Sequence, residues 1–198
     1  MKIELNGKEM EVEQGKTVAE LFENEIKAND RIITCNCNNE IKNLNYIPKE
    51  NDKITFVDVA SRDGRRTYIR GVLYIMSMAF QECYPNALLS VNYQLTNAMY
   101  CEVDNMQVTQ EMIDAVRSKM KEIIEKNIPI RKVEMTKEEA EKFYEKEKTL
   151  RGKLQLDNKQ KDEVSLYFCE DYYNYFYGVM PISTGFIRVY EILPYNDG

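Results

Sequence analysis

The chain has 198 residues, which suits one large domain or a small domain followed by a medium one. Its hydrophobic share of 43% and charged share of 30% are typical of a folded protein in water, and no apolar run approaches the length of a membrane span. No apolar segment of a secretory signal follows the first methionine, so we expect a cytoplasmic protein without membrane contact. A net charge of −6 works against general binding of nucleic acid, and DNA is not expected as a partner.

Histidine is absent from the sequence. This removes the commonest general base, the usual partner of a serine or cysteine nucleophile, and the commonest zinc ligand. Most hydrolase chemistry is therefore hard to build, and we expect no catalytic residue in these 198 residues.

The five cysteines form an odd, irregularly spaced set, which is not typical of a disulfide framework. Cys35 and Cys37 lie at alternate positions and could direct two thiolates to one face of a strand. No second pair and no histidine completes a four-ligand zinc site, so we expect reduced thiols and no metal.

Residues 1–60 predict a small ubiquitin-like roll with the order β-β-α-β-β. Asn6-Gly7 supplies the turn of an N-terminal hairpin, because both residue types accept a positive φ. Thr17 and Glu20 form a capping box at the start of a short helix. Two further strands are expected over residues 31–36 and 53–59.

The end of a phosphate-binding loop offers another interpretation of Gly15-Lys16-Thr17. Such a loop needs a glycine five residues before Gly15, where this sequence has Met10. The helix cap is therefore the favoured interpretation.

A polar segment over residues 61–64 marks the start of a second, α+β domain. Its helices are expected from the apolar spacing over residues 69–80, after the N-cap Thr109 and after the capping box of Thr136 and Glu139. Strands are expected over residues 87–92, 98–103, 130–135, 164–169 and 186–193, with a polar loop over 150–163.

Segments 2–8 and 15–21 resemble the TGS domain that opens bacterial threonyl-tRNA synthetases. The later region is similar to the editing module of these enzymes, the second additional domain. Its matching segments are 71–85, 99–103, 108–111, 124–127, 135–143 and 166–168. The resemblance implies an α+β protein with a TGS-like β-grasp domain over 1–60 and an editing-like domain over 61–198.

The metal site of that family is altered here. In the editing module a helix carries two histidines four residues apart, and a later loop carries a cysteine and a histidine four apart, which together hold zinc. The corresponding positions fall on Arg70 and Tyr74 in the helix and on Phe176 and Met180 in the loop. None of these side chains suits zinc, so the resemblance implies that zinc-dependent tRNA editing is lost.

The sequence with these altered zinc-ligand positions also resembles a second family. Bacterial uridine kinase-like nucleoside kinases carry a TGS-like domain and an editing-like domain without zinc ligands before their kinase domain, and segments 175–186 and 190–195 are similar to theirs. The resemblance implies an N-terminal piece of such a kinase, with its own C-terminal kinase domain as a partner. ATP and magnesium would bind only that kinase domain, and no cofactor is expected in residues 1–198.

Arginines at the predicted domain boundary are the best candidates for binding an anion. The cluster consists of Arg62, Arg65, Arg66 and Arg70. Guanidinium groups bind phosphate through paired hydrogen bonds, and nearby aromatic rings could stack on a base. The candidate ligand-binding residues are Arg66, Arg70, Tyr74, Phe176, Tyr177 and Met180, and the expected ligand is a nucleotide or an RNA 3′ end. Structural pairing of the arginines with Asp63, Glu82 or Glu170 is the favoured alternative.

Seven aromatic residues lie between Tyr167 and Tyr177. Packing in a core is their default role, because aromatic rings bury much area. So many hydroxyl groups are hard to satisfy in a dry core, which indicates that some rings line a wet cleft or a domain interface.

Three functions compete at this point. The first is a non-catalytic ligand-binding or regulatory region of a uridine kinase-like nucleoside kinase. The second is a tRNA- or RNA-binding module derived from threonyl-tRNA synthetase. The third is a structural or dimerisation region.

Overall fold

The computed structural model describes residues 1–96, 98–104, 106–147, 156–157 and 162–198. The first sheet has five strands: β1 (Lys2–Leu5), β2 (Lys8–Glu11), β3 (Ile32–Cys37), β4 (Glu40–Lys42) and β5 (Lys53–Asp58). Two short helices lie between β2 and β3: α1 (Val18–Leu21) and α2 (Glu23–Ala28). We call residues 1–60 the N-terminal unit and residues 61–198 the C-terminal unit.

The N-terminal unit has the predicted roll topology. Its strand order is β2-β1-β5-β3-β4, and β1 pairs parallel to β5 while the other pairs are antiparallel. Asn6 and Gly7 have φ values of 48° and 82°, as the hairpin turn requires. The Thr17 hydroxyl accepts from the Glu20 N–H, and the Glu20 carboxylate accepts from the Thr17 N–H at 2.7 Å. The helix-cap interpretation of Gly15-Lys16-Thr17 is thus confirmed.

The C-terminal unit combines three helices with two small sheets. Its helices are α3 (Arg62–Cys83), α4 (Gln110–Glu125) and α5 (Lys137–Glu147). Its strands are β6 (Leu89–Leu95), β7 (Ala98–Val103), β8 (Arg131–Thr136), β9 (Glu163–Cys169) and β10 (Tyr172–Tyr175), and a 3-10 turn covers Thr184–Phe186. β6 pairs with β7, and the other sheet has the order β10-β9-β8. The predicted α+β class is confirmed.

Apolar residues at helical spacing place α3 and α4 in one core. Tyr74 and Ile75 of α3 are fully buried with Met120 and Ile123 of α4. Among the described residues, every helix is too short or too polar to cross a lipid bilayer.

Among the described residues, two apolar side chains of the C-terminal unit pack against the core of the N-terminal unit. These are Ile182 and Phe186, which contact the cluster built around β1, β3 and β5. The Arg188 guanidinium also lies 3.2 Å from an Asp30 carboxylate oxygen. The two units therefore share apolar packing as well as a chain connection.

The predicted strand over residues 186–193 is wrong. Residues 187–193 pair with no strand among the described residues, and the Tyr68 hydroxyl binds the backbone of Arg188 and Val189 instead. This hydroxyl accepts from the Arg188 and Val189 N–H groups at 2.9 and 2.7 Å and donates to the Val189 carbonyl at 3.0 Å. A side chain of α3 therefore satisfies the backbone groups that a neighbouring strand would otherwise bind.

Strands β4 and β10 were not predicted. β4 has three residues, and β10 consists of four buried residues of the tyrosine-rich segment without polar alternation. Most of the loop expected over 150–163 lies outside the described residues.

Candidate functional site

The loop over residues 176–180 lies against the middle of α3, as the resemblance implied. The Arg70 Nη1 donates to the Val179 carbonyl oxygen at 3.2 Å. Gly178 has a φ of +96°, and a Cβ atom added to it would lie 2.7 Å from Arg70 Cζ. The positive φ favours glycine at this position, and a side chain there would also displace the end of the flexible Arg70 side chain.

Tyr74 and Met180 belong to the core. Tyr74 is 0% exposed and Met180 is 1% exposed. The Tyr74 ring makes edge contacts with Tyr172 and Phe176, at centroid distances of 5.2 and 5.6 Å. Its hydroxyl donates to the Tyr167 carbonyl at 2.9 Å. The expectation that the Tyr74 ring offers a stacking face to a base is not met, because no part of it reaches solvent.

The four positions that the resemblance assigns to zinc ligands carry groups that do not suit a metal. They bring together the guanidinium of Arg70, the buried phenol of Tyr74, the ring of Phe176 and the buried thioether of Met180. Zinc in proteins is bound by thiolate, imidazole and carboxylate groups. In the part of the chain that the structure describes, no three His, Cys, Asp or Glu residues are placed to hold a metal ion.

The predicted arginine cluster lies along the first half of α3, and we call it the arginine row. Arg62, Arg65 and Arg66 are exposed, and Arg70 is partly buried. Arg66 pairs with Asp63 at 3.8 Å, where both side chains are about half exposed. Among the described residues, no carboxylate lies within 4.0 Å of the other three arginines. The sequence favoured ion pairs between these arginines and nearby carboxylates. Among the described residues, only Arg66 forms one.

Burial lowers the pKa of the Arg70 guanidinium. An arginine starts from so high a pKa that this group stays charged at neutral pH. Its nearest described polar partner is the Val179 carbonyl, which brings no negative charge.

Phe176 and Tyr177 supply the exposed aromatic surface of the loop. Tyr177 is 75% exposed, and Phe176 is partly buried against Tyr74. The Tyr167 hydroxyl donates to the Gly178 carbonyl. This hydrogen bond ties the loop backbone, just after Tyr177, to strand β9. Of the six candidate residues, Arg66, Arg70, Phe176 and Tyr177 can reach a ligand.

A cleft of about 500 Å³ lies between the two units and beside the same loop, and we call it the interunit cleft. The N-terminal unit contributes Ile41, Lys42, Asn43 and Tyr46. The C-terminal unit contributes Lys132, Glu134, Glu163, Val164, Ser165, Tyr167 and residues 175–179. Sequence reasoning predicted an aromatic cleft but missed the residues of β4, β8 and β9, since no local pattern shows which strand edges meet.

The chain is similar to curated threonine–tRNA ligases, whereas no protein-family model matches it. The enzyme of Clostridium kluyveri is 27% identical over 191 residues, which is 95% of this chain and 30% of the relative. The enzyme of Rubrobacter xylanophilus is 25% identical over 191 residues, 94% of this chain and 29% of the relative. The enzyme of Aquifex aeolicus is 29% identical over 161 residues, 79% of this chain and 24% of the relative.

These relatives support a region derived from threonyl-tRNA synthetase, and they agree with the TGS-like and editing-like interpretation. The chain spans less than a third of the length of each. None of these three is a nucleoside kinase by name, so the kinase part of the earlier expectation stays a prediction.

Proposed function

We propose that this chain is an RNA-binding module derived from the N-terminal region of a threonyl-tRNA synthetase. It binds the acceptor end of a tRNA in the cytoplasm and does not hydrolyse an aminoacyl ester. The observation that carries the proposal is the similarity to threonine–tRNA ligases over 95% of the chain. These relatives act on tRNA by name, and their similarity favours the RNA-binding function over a region of a nucleoside kinase.

The arginine row supports this function with a suitable surface. Arg62, Arg65 and Arg66 are exposed on consecutive turns of α3, and guanidinium groups bind phosphate oxygens in pairs. Tyr177 is exposed and precedes Gly178, which lies against Arg70 of this row, so its ring can stack on an unpaired base. The surface combines the two contacts that a single-stranded RNA end needs.

The residue types argue against ester hydrolysis by the family's metal mechanism. Arg70, Tyr74, Phe176 and Met180 do not bind zinc, and no histidine is present to act as a base. Binding without turnover is therefore the function that these residues suit.

The test measures binding of a fluorescent tRNA acceptor-stem hairpin ending in a single-stranded 3′ CCA. We expect the parent to bind at low salt and to weaken steeply as salt rises, because phosphate contacts release counterions. The double variant Arg65→Glu/Arg66→Glu should bind at least about tenfold more weakly and with a shallower salt slope.

The matched control is Lys8→Glu/Lys121→Glu, which makes the same change of charge at two exposed positions outside the row. It should bind nearly as well as the parent. Absence of RNA binding at low salt, or equal losses in both double variants, would contradict the proposal.

A further inference from the structure

We propose that the interunit cleft is a separate binding site for an uncharged, flat, hydrogen-bonding ring compound of nucleoside size. Neither Arg66 nor Arg70 lines the cleft, although the Arg70 guanidinium contacts Gly178 and Val179, which do line it. The inference does not rest on the proposed RNA binding, although Tyr177 borders both surfaces.

The cleft is large enough for a small molecule and lies between the two units. Its volume of about 500 Å³ lies within the range of ordinary small-molecule sites, roughly 300 to 1,000 Å³. One wall belongs to β4 and Tyr46, and the other belongs to β8, β9 and residues 175–179. A compound in this cleft would contact both units.

The charges of the cleft do not favour a phosphate. Lys42 already pairs with Glu40 at 2.6 Å, and Lys132 pairs with Glu134 at 2.6 Å. The remaining charged lining residue is Glu163, which has no cation within 4.0 Å among the described residues. A phosphate would therefore approach one unpaired carboxylate and two lysines that have their own partners. An uncharged compound avoids this repulsion.

The lining offers both ring faces and free hydrogen-bonding groups. Phe176 and Tyr177 present aromatic rings from the loop. Tyr46 lies on the opposite wall, where the Lys42 ammonium is 5.8 Å from its ring centroid. Among the described residues, the Ser165 hydroxyl and the side-chain amide nitrogen of Asn43 donate no hydrogen bond. A flat compound could stack on a ring while its polar edge bonds to these two groups. A bare sugar would lack the stacking face, and a plain hydrocarbon ring would lack the polar edge.

The experiment titrates adenosine, guanosine, cytidine and uridine, each beside its 5′-monophosphate, and follows backbone amide signals by NMR. We expect at least one nucleoside to bind and to shift amides on both walls, over residues 41–46 and 163–167. Its monophosphate should bind at least tenfold more weakly, in contrast to a site built from arginines.

Variants locate the contacts. Ser165→Ala should weaken the bound nucleoside about fivefold, by loss of a single hydrogen bond. Tyr177→Ala should weaken it by tenfold or more, by loss of a stacking face. Tyr93→Ala removes another exposed tyrosine, on β6, and should leave binding unchanged. Arg65→Glu/Arg66→Glu should also leave it unchanged, which separates this site from the RNA surface.

Three results would overturn the inference. The first is that no nucleoside shifts an amide of either wall. The second is that the monophosphates bind as tightly as the nucleosides. The third is that Ser165→Ala and Tyr177→Ala, both shown to be folded by their NMR spectra, bind like the parent.

Discussion

Gly178 is the residue on which the contact between α3 and the loop most directly depends. Its backbone has a φ of +96° and lies where a Cβ atom would overlap the Arg70 guanidinium. Two separate costs thus oppose any side chain at this position: backbone strain, and a smaller cost of displacing the flexible end of Arg70.

The two costs can be separated by comparing two glycines. Gly15 has a similar φ of +88° and no atom within 4 Å of an added Cβ, so Gly15→Ala measures strain alone. We expect it to lower the free energy of unfolding by about 1 to 2 kcal/mol. Gly178→Ala should cost more, and urea denaturation measures both. In an Arg70→Ala background the cost of Gly178→Ala should fall to that of Gly15→Ala, and an unchanged cost would show that the overlap is unimportant.

Asp52 links stability to pH in the N-terminal unit. Burial opposes ionisation of this carboxyl, but hydrogen bonds from the Lys49 N–H, the Tyr46 hydroxyl and the Asn38 amide outweigh it and hold its pKa below the ordinary value. A carboxyl with a lowered pKa in the folded state stabilises the protein above the pKa of the unfolded chain, about 3.9. This contribution is lost as the pH falls below that value and through the folded-state pKa.

We therefore expect the free energy of unfolding of the parent to decrease between pH 5 and the acid limit of folding. Asp52→Asn should be less stable at pH 7, by about 1 to 3 kcal/mol, because its amide cannot accept all three bonds. It should also show a smaller decrease towards acid. Urea denaturation at a series of pH values measures both effects, and parallel pH profiles would show that Asp52 is not responsible.

At the scale of elements, sequence reasoning works where one residue pattern fully determines the structure. The apolar spacing that predicts α3 and α4 is local, and so is the cap at Thr109. The start of α3 was missed, because residues 62–64, expected to belong to a polar boundary segment, form its first turn after the N-cap Ser61. β10 lacks polar alternation because all four of its residues are buried, so period-two patterning gives no signal. The 187–193 segment has the composition of a strand but binds a tyrosine hydroxyl, a distant partner that no local pattern reveals.

Tyr68→Phe tests how that segment is held. The change removes the hydroxyl that serves Arg188 and Val189 while it keeps the ring. We expect their amide hydrogens to exchange at least about tenfold faster, and the free energy of unfolding to fall by about 1 to 2 kcal/mol. Tyr93→Phe removes a hydroxyl from an exposed ring on β6 and is the control. Equal exchange rates in parent and Tyr68→Phe would contradict this account.

At the scale of the whole molecule, the candidate site was only partly predictable. The resemblance placed α3 beside the loop, and the structure brings Arg70 and Tyr74 to residues 176–180. The sequence could not show that Tyr74 and Met180 are buried, because burial depends on how the helices and sheets pack. The interunit cleft could not be predicted either, since its walls come from residues more than 80 positions apart.

The sequence predicts a domain boundary at residue 60. This boundary can be tested, because side chains from beyond it pack against the core of the N-terminal unit. Phe186 belongs to the C-terminal unit but contacts the core of the N-terminal unit. We expect Phe186→Ala to lower the melting temperature of the N-terminal sheet, with a loss of about 2 kcal/mol, less than for a fully buried phenylalanine. Amide signals of β1 and β5 report this unit, and those of α4 report the other.

Residues 1–60 expressed alone should be less stable still, since both Ile182 and Phe186 are then missing. The control for Phe186→Ala is Tyr177→Ala, because this change removes an exposed ring that lies outside the contact with the N-terminal unit. A fragment as stable as the same sheet in the full chain would show that the contact adds nothing.

The position of Ile182 and Phe186 also limits how these 60 residues could be exchanged between proteins. A recombination event that moves only the first 60 codons leaves behind two apolar side chains that the transferred sheet uses. The recipient chain must then offer equivalent side chains, or the transferred sheet exposes apolar surface and becomes prone to aggregate. For this protein the boundary of a transferable segment is therefore defined in space, and it includes residues 182–188 as well as residues 1–60.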